Sequence, residues 1–128
     1  MKKYILAFCI IWFSKIVLPL PAADINDLIY SVSNEFVTIT GCDVSASGEL
    51  SIPDTIEGKP VTRIGIAALR DCVGLTAVTI PASVTHLYSQ AFRDCSGMTA
   101  VMIPESVVFI AESAFAGCLL YTSDAADE

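Results

Sequence analysis

Few residues in this sequence could carry out catalysis, and their spacing pairs none of them. His86 is the single histidine, and nothing in the sequence selects a nucleophile or an acid to act with it. A histidine base needs both groups within hydrogen-bond reach. The carboxylates show neither a paired acid/base arrangement nor the spacing of a calcium loop. We therefore predict that His86 is a surface residue rather than a catalytic base, and that the protein is not an enzyme and holds no cofactor.

The chain contains an internal sequence repeat, and the fold of this repeat determines where any functional residues lie. Residues 75–95 (LTAVTIPASVTHLYSQAFRDC) align with residues 98–118 (MTAVMIPESVVFIAESAFAGC) at a constant offset of 23 residues. A looser copy covers residues 50–72 and carries an insert, DTIEGKP, which we expect to be a turn-rich loop. A fixed period in the twenties, with apolar residues in one phase, predicts a solenoid in which each coil buries its apolar face against the next.

Each repeat predicts the same local structures. Residues 78–80 (VTI) alternate as a short strand should, and Pro81 ends the strand because proline cannot donate to the ladder. Residues 84–87 (VTHL) form a second extended segment, and residues 89–94 (SQAFRD) a short helical turn. The expected fold is mainly β with short helices, a solenoid of about three 23-residue coils with two narrow parallel sheets.

Three cysteines share one phase of the repeat, namely Cys72, Cys95 and Cys118. In stacked coils Cys72 and Cys95 would lie about 4.7–4.9 Å apart, which permits a disulfide by distance alone. Their side chains would point in parallel, however, which is poor disulfide geometry. The pattern favours buried free thiols that fill the core, with the disulfide as the alternative. Because the sequence has no C-x-x-C and no histidine at ligand spacing, we expect no metal site.

The N-terminal residues 1–23 resemble a signal peptide. Lys2 and Lys3 precede an apolar run over residues 4–13, and small residues follow before position 24. The alternative is an uncleaved anchor helix. Lys15 argues against it, because a charge near the middle of a membrane span costs roughly 2.5–3.5 kcal/mol. We expect cleavage of the signal, and no membrane span after it.

Residues 24–47 are predicted to form an N-terminal cap. Within them, residues 28–40 (LIYSVSNEFVTIT) alternate apolar and polar residues on either side of Ser33 and Asn34, which predicts a β-hairpin. Solenoids need such caps because an open end exposes apolar core. We therefore expect the hairpin to cover the first coil.

The C-terminal residues 118–128 (CLLYTSDAADE) abandon the repeat after Cys118. Their back-translation matches a transposase adapter used to prepare DNA sequencing libraries. We therefore interpret the tail as non-native and the chain as a fragment cut within its repeats. Cys118 itself fits both the repeat phase and the adapter. The alternative is a short acidic disordered tail.

The charge of the chain argues against one class of partner. Fourteen acidic residues against seven basic ones give a formal net charge of −7. No basic stripe interrupts this acidity, so a phosphate backbone would be repelled, and we exclude nucleic acid as a partner. A protein ligand, on a host or another cell, is the expected partner.

The combined pattern L-x-x-V-x-I-P-x-S-V-x-x-I-x-x-x-A-F-x-x-C resembles the BspA-like, or Treponema-type, leucine-rich repeats. The residues that carry it in residues 75–95 are Leu75, Val78, Ile80, Pro81, Ser83, Val84, Leu87, Ala91, Phe92 and Cys95. Tyr88 and Ala111 depart from the pattern, since they stand where the family has the glycine seen at Gly65. The resemblance covers about residues 48–117 and implies a secreted or cell-surface bacterial protein associated with adhesion.

Positions between the inward-facing residues are the candidates for partner binding. On the first strand of each repeat, these positions are Thr76, Thr79, Thr99 and Met102. On the second extended segment, they are Arg63, His86 and Phe109. Stacking would arrange each set as a ladder on an extended surface, which solenoids use for protein partners. Exposed Met and aromatic side chains are enriched at interfaces. For each residue the alternative is a solvent-exposed position without a ligand.

The sequence as a whole predicts an exported leucine-rich-repeat module, secreted or held at the cell surface, that mediates protein binding or adhesion. The alternative is a structural stalk or targeting arm of a longer protein whose missing C-terminal domain could be catalytic.

Overall fold

The structure is a computed structural model that describes residues 23–119, and the regular secondary structure of that part of the chain is β strand apart from one short 3-10 helix. The predicted signal peptide, apart from Ala23, and the predicted tail beyond Leu119 lie outside the described residues. A short 3-10 helix covers Ile25–Asp27. The strands that follow are β1 (Leu28–Val32), β2 (Val37–Cys42), β3 (Gly48–Ser51), β4 (Thr55–Ile56), β5 (Lys59–Ile64), β6 (Leu75–Thr79), β7 (His86–Leu87), β8 (Ala100–Met102) and β9 (Phe109–Ile110).

Two sheets run along the stack, and their register follows the repeat. One sheet has the order β1-β2-β5-β7-β9, with β4 paired to β5, and the other has the order β3-β6-β8. Equivalent residues of successive coils face each other in parallel pairs, such as Val78 with Val101 and Leu87 with Ile110. The predicted solenoid is therefore confirmed. We call residues 50–72, 75–95 and 98–118 the first, second and third coils.

The predicted N-terminal hairpin is also confirmed. Strands β1 and β2 pair antiparallel, and the Ser33 backbone N–H donates to the Phe36 carbonyl oxygen at 2.9 Å across the turn. Strand β2 then lies parallel to β5, with Ile39 opposite Ile64. Val37 and Ile39 are fully buried, so the hairpin covers the edge of the first coil with apolar side chains.

A continuous apolar core fills the space between the two sheets. The inward-facing residues of the second coil are completely or almost completely buried, including Leu75, Val78, Val84, Leu87 and Phe92. The Phe92 and Phe115 rings stack at 5.0 Å with an interplanar angle of 4°, joining the second coil to the third. Burying a side chain of this size contributes roughly 1.5–3 kcal/mol.

The corner after each second strand is not helical, so the prediction of a helical turn was wrong. Residues 89–94 form consecutive hydrogen-bonded turns instead. Each corner has two positions at which the backbone φ is positive. The first position is occupied by Ala67, Gln90 and Ser113 in the three coils, and the second by Asp71, Asp94 and Gly117. A residue with positive φ cannot continue a right-handed helix.

The corner amides bond to the neighbouring coil. Leu69 N donates to Ala91 O at 2.7 Å, and Phe92 N donates to Ala114 O at 2.7 Å. These bonds alternate with short-range ones inside the corner, such as Ala91 N to Tyr88 O at 3.1 Å. The corner therefore adds a third line of hydrogen bonds between coils. In a helix, the same backbone amides would donate to carbonyls of their own coil.

The insert in the first coil, predicted as a turn-rich loop, forms a short β-hairpin around a tight turn. Strand β4 pairs antiparallel with the start of β5, with Ile56 opposite Lys59. Between them, Glu57 and Gly58 both have positive φ, 55° and 79°, which is the requirement of a tight two-residue hairpin turn. Ile56 is buried, so the insert also contributes to the core.

Free thiols line one edge of the stack, as the sequence favoured. Cys72 and Cys95 are buried, and Cys42 and Cys118 are partly buried. The Cys95 and Cys118 thiols donate to Leu69 O and Phe92 O at 2.8 and 2.9 Å. Burial raises the pKa of Cys95 to about 12 and also raises the pKa of Cys118. These two thiols stay protonated near neutral pH and act as small core-filling donors.

Candidate protein-binding surface

One row of partly exposed side chains crosses the parallel strands β5, β7 and β9. Arg63 pairs in register with His86, and His86 with Phe109, so each coil contributes one residue. Phe109 is 44% exposed, and Arg63 and His86 are partly exposed. The structure therefore brings these three candidate residues together, because equivalent positions of successive coils are hydrogen-bonded neighbours.

Two further aromatic residues complete this row. The Tyr88 ring stacks on the His86 ring at 5.9 Å, and Phe109 lies 5.7 Å from His86 and 6.1 Å from Tyr88 between ring centroids. At the other end, the Arg63 guanidinium carbon lies 4.2 Å from the centre of the Phe36 ring. This cation–π distance is favourable. We call Phe36, Arg63, His86, Tyr88 and Phe109 the aromatic surface.

Phe36 and Tyr88 were not among the residues that the sequence selected. Phe36 belongs to the cap, and only the pairing of β2 beside β5 places it next to Arg63. In the sequence, Tyr88 stands where the repeat pattern has a glycine, which by itself does not indicate a binding residue. Its neighbours in the same phase are Gly65 and Ala111, and their small size was a signal that a large ring at this position could spread over the adjacent coils.

The neighbours of His86 hold its ring in one orientation. Its Nδ1 atom lies 2.8 Å from Thr85 Oγ1, which also lies 3.3 Å from Thr62 O of the preceding coil. This hydroxyl fixes the orientation of the imidazole ring. Among residues 23–119, no carboxylate forms a hydrogen bond or salt bridge with His86. The contacts of His86 thus serve to hold a ring at the surface.

The other four candidates, Thr76, Thr79, Thr99 and Met102, lie on the separate sheet that contains β6 and β8, and we call them the threonine strip. Thr79 pairs in register with Met102, and Thr99 N donates to Thr76 O at 3.0 Å. All four are exposed, with Met102 at 67%. Three of its four residues are threonines, and the strip contains no aromatic ring, unlike the aromatic surface.

The described part of the chain shows neither a cluster of metal-ligating side chains nor a membrane-spanning helix. Within it, no group of three or more His, Cys, Asp or Glu side chains is arranged to hold a metal ion. No helix between residues 23 and 119 has the length and apolar character needed to cross a membrane.

The sequence was compared with protein families and with curated proteins. A family model described as "BspA type Leucine rich repeat region (6 copies)" matches residues 44–126. No curated protein matches the sequence.

Two solved structures share the fold. One is a leucine-rich repeat protein of Treponema pallidum, with a TM-score of 0.69 and 23% identity, over 76% of this chain and 46% of that protein. The other is a leucine-rich repeat protein of Bacteroides ovatus, with a TM-score of 0.58 and 22% identity, over 80% of this chain and 33% of that protein. The chain therefore spans less than half the length of either structural relative.

The family match, the 23-residue register and the two parallel sheets agree with one another. The family match covers more than half of the chain and extends through all three coils. Such repeats form protein-binding modules. The chain belongs to the BspA-type leucine-rich-repeat family.

Proposed function

We propose that this chain is an exported, non-enzymatic adhesion module that binds a protein on a host or another cell through its aromatic surface. Family membership supports the general statement that it is a protein-binding module. Export rests on the signal-like residues 1–23, and location at the cell surface or in the medium follows from export.

One observation carries the choice of surface: partly exposed rings from different coils pack against each other in register. Tyr and Arg are enriched among the residues that dominate binding energy, and large, pre-positioned rings lose little side-chain entropy on binding. The His86, Tyr88 and Phe109 rings already contact one another, and Thr85 fixes the His86 ring. A partner would therefore meet a largely preformed apolar platform.

The charge distribution favours an apolar or mixed contact over an electrostatic one. Within the aromatic surface Arg63 is the one cation, and it already lies against the Phe36 ring. The formal net charge of −7 on the whole chain would repel acidic partners at low salt. We therefore expect binding that depends weakly on salt, since ring contacts are not screened.

Binding to a panel of immobilised extracellular-matrix proteins tests the proposal. The double variant His86→Glu/Phe109→Glu should weaken binding at least about tenfold, because it places charge at the centre of the platform. Thr79→Glu/Met102→Glu tests the threonine strip, and Val73→Glu, an exposed turn residue, is the control. Both should change binding less than about twofold. Unchanged binding by the first variant would remove the aromatic surface from consideration.

Export is tested separately by determining the N-terminal residue of the mature protein. Expression of the full chain in a secreting bacterium, followed by mass spectrometry, should recover a protein that begins at Asp24. Recovery of an intact N-terminus in the membrane fraction would support the anchor-helix alternative.

A second candidate function is that of a stalk or targeting arm in a longer protein. It is favoured by the exposed apolar side chains of the third coil, among them Ile103 and Ile110 at 39% and 48%, which offer a surface for further coils. Sequencing of the uncut genomic locus decides between the two functions, because a catalytic domain downstream would make binding an accessory role.

A further inference from the structure

Two of the four described cysteines differ from the others in their contacts. The Cys95 and Cys118 thiols each donate to a carbonyl of the preceding coil. The Cys42 and Cys72 sulfurs instead lie against the same atom, the carbonyl oxygen of Asp43, at 3.7 and 3.9 Å. The Cys72 sulfur also lies 3.9 Å from the carbonyl oxygen of Arg70 in its own coil. Both sulfurs therefore lie within 4 Å of one carbonyl oxygen at the junction of cap and first coil.

The origin of Cys42 explains this convergence. Cys72 and Cys95 occupy the same phase of successive coils, so their side chains run in parallel, which disfavours a disulfide. Cys42 lies outside that phase, because it ends strand β2 of the antiparallel cap hairpin. The parallel arrangement that disfavours a bond between Cys72 and Cys95 therefore does not apply to Cys42 and Cys72.

We propose that Cys42 and Cys72 are a disulfide-forming pair, which a disulfide-bearing oxidant converts into a covalent link between the cap hairpin and the first coil. The pair is a modification site that lies on neither the aromatic surface nor the threonine strip, and it does not depend on the proposed partner. An exported protein encounters such oxidants, whereas cytosolic thiols are kept reduced.

The reaction proceeds by thiol–disulfide exchange. The Cys42 thiolate attacks one sulfur of the oxidant, forming a mixed disulfide and releasing the oxidant's other sulfur as a thiolate. The Cys72 thiol then gives up its proton, and its sulfur attacks the Cys42 sulfur and releases the oxidant's second sulfur. The two cysteines lose two electrons and two protons in total, and the oxidant gains both as its disulfide is reduced to two thiols.

Cys42 is the residue that attacks first. It is partly exposed, whereas Cys72 is fully buried, so only Cys42 is accessible to an external disulfide. The neighbouring Cys72 thiol lowers the pKa of Cys42, against the opposing effects of burial and of the charges of Asp27 and Asp43. Proximity to Cys42, together with burial, raises the pKa of Cys72. Cys72 therefore acts as the resolving thiol.

The link would close a long loop that contains strands β3, β4 and β5. Closing such a loop restricts the unfolded chain and stabilises the fold. It would also prevent the cap hairpin from separating from the first coil. Oxidation is therefore expected to raise Tm.

The experiment uses the full chain in a Cys9→Ser background, so that the four described thiols are the only ones present. The reduced protein is incubated with oxidised glutathione, digested with trypsin without reduction, and analysed by mass spectrometry. Trypsin cleaves after Arg63, Arg70 and Arg93. Cys42 and Cys72 therefore lie on two separate peptides, and a third peptide carries both Cys95 and Cys118. The expected result is a cross-linked pair of the first two peptides, a mass decrease of two hydrogens, and a Tm increase of about 5 °C or more that a reductant reverses.

Variants provide the controls. Cys42→Ala should abolish both the cross-link and the Tm increase, whereas Cys118→Ala, which also removes a partly buried thiol, should retain both. Stable glutathione adducts on Cys42 without an internal link would overturn the proposal. A disulfide between Cys72 and Cys95, or between two chains, in the Cys9→Ser protein would also overturn the proposal. This result does not depend on whether a variant of a buried cysteine folds.

Discussion

The second and third coils carry equivalent apolar residues, yet the two coils differ in burial. Leu87 is fully buried, and its equivalent Ile110 is 48% exposed. Ile80 is 3% exposed, and its equivalent Ile103 is 39% exposed. Within the described residues, the second coil has a neighbour on both sides and the third has one on a single side. The burial of a side chain in this fold is thus set by the adjacent coil rather than by its own.

This difference also explains where recognition can evolve. Inward positions are constrained by the coil above and the coil below, whereas outward positions contact only their neighbours along the surface. Arg63, His86 and Phe109 occupy one such outward phase and differ in every coil. Positions of this kind can change chemistry without disturbing the core, which suits a binding surface.

The largest effect is expected for the two stacked phenylalanines. Phe92→Ala should destabilise the protein by about 3–5 kcal/mol, because Phe92 is fully buried and a cavity would remain. Phe115→Ala should cost roughly 1–2 kcal/mol, since Phe115 is only partly buried. Urea unfolding followed by circular dichroism measures both. Equal costs would show that the third coil is covered in solution and would remove the contrast.

The aliphatic pair gives the same comparison without aromatic stacking. Leu87→Ala should cost about 2–4 kcal/mol, and Ile110→Ala about 1 kcal/mol or less, because nearly half of Ile110 is already exposed. The two residues are direct neighbours in β7 and β9. A larger cost at Ile110 than at Leu87, in the same urea experiment, would contradict neighbour-controlled burial.

The corner provides a smaller effect that is independent of burial. Gln90 has a φ of 61°, so Gln90→Gly should stabilise the protein by about 0.5 kcal/mol, and the β-branched Gln90→Val should destabilise it by about 1 kcal/mol. Thr79→Val, at an exposed strand position, should be nearly neutral and serves as the control. If Gln90→Val were neutral as well, the corner backbone would not be left-handed there.

The smallest effect concerns the capped end of the molecule. The Ser45 N–H and hydroxyl donate to the Asp43 carboxylate at 2.8 and 2.7 Å and lower the pKa of Asp43 from its ordinary 3.8. Because the folded-state pKa is the lower one, these bonds stabilise the fold above pH 3.8, and their contribution is lost as the pH falls through the folded-state pKa. Ser45→Ala should raise the pKa of Asp43 in an NMR titration, with Ser47→Ala as the control. An unchanged Asp43 titration would show that the hydroxyl does not bind the carboxylate.

Periodicity predicted the parts of the fold that depend on stacking equivalent residues. The 23-residue offset predicted the pairing of Val78 with Val101 and of His86 with Phe109, because a parallel stack aligns equal phases. It could not predict the corner. The segment SQAFRD has ordinary helix propensity, but the inter-coil bonds of Leu69 and Phe92 compete with helical ones and prevail.

The aromatic surface was predictable only in part, for a similar reason. Arg63, His86 and Phe109 follow from the repeat, and the sequence selected them. Phe36 lies in the cap, where no period fixes the register of β2 against β5. Tyr88 contacts a ring in the next coil as well as one in its own, and such contacts depend on the size of side chains at neighbouring positions.

The most direct test of neighbour-controlled burial gives the third coil a second neighbour. A second copy of residues 96–118, inserted after Cys118, would place a coil against the exposed side of the third coil. The quantity to measure is the cost of Ile110→Ala in urea unfolding, with and without the added coil. The account predicts that this cost rises from about 1 kcal/mol to about 2–4 kcal/mol, the value expected for Leu87→Ala. A cost that stays unchanged in the extended protein would contradict it.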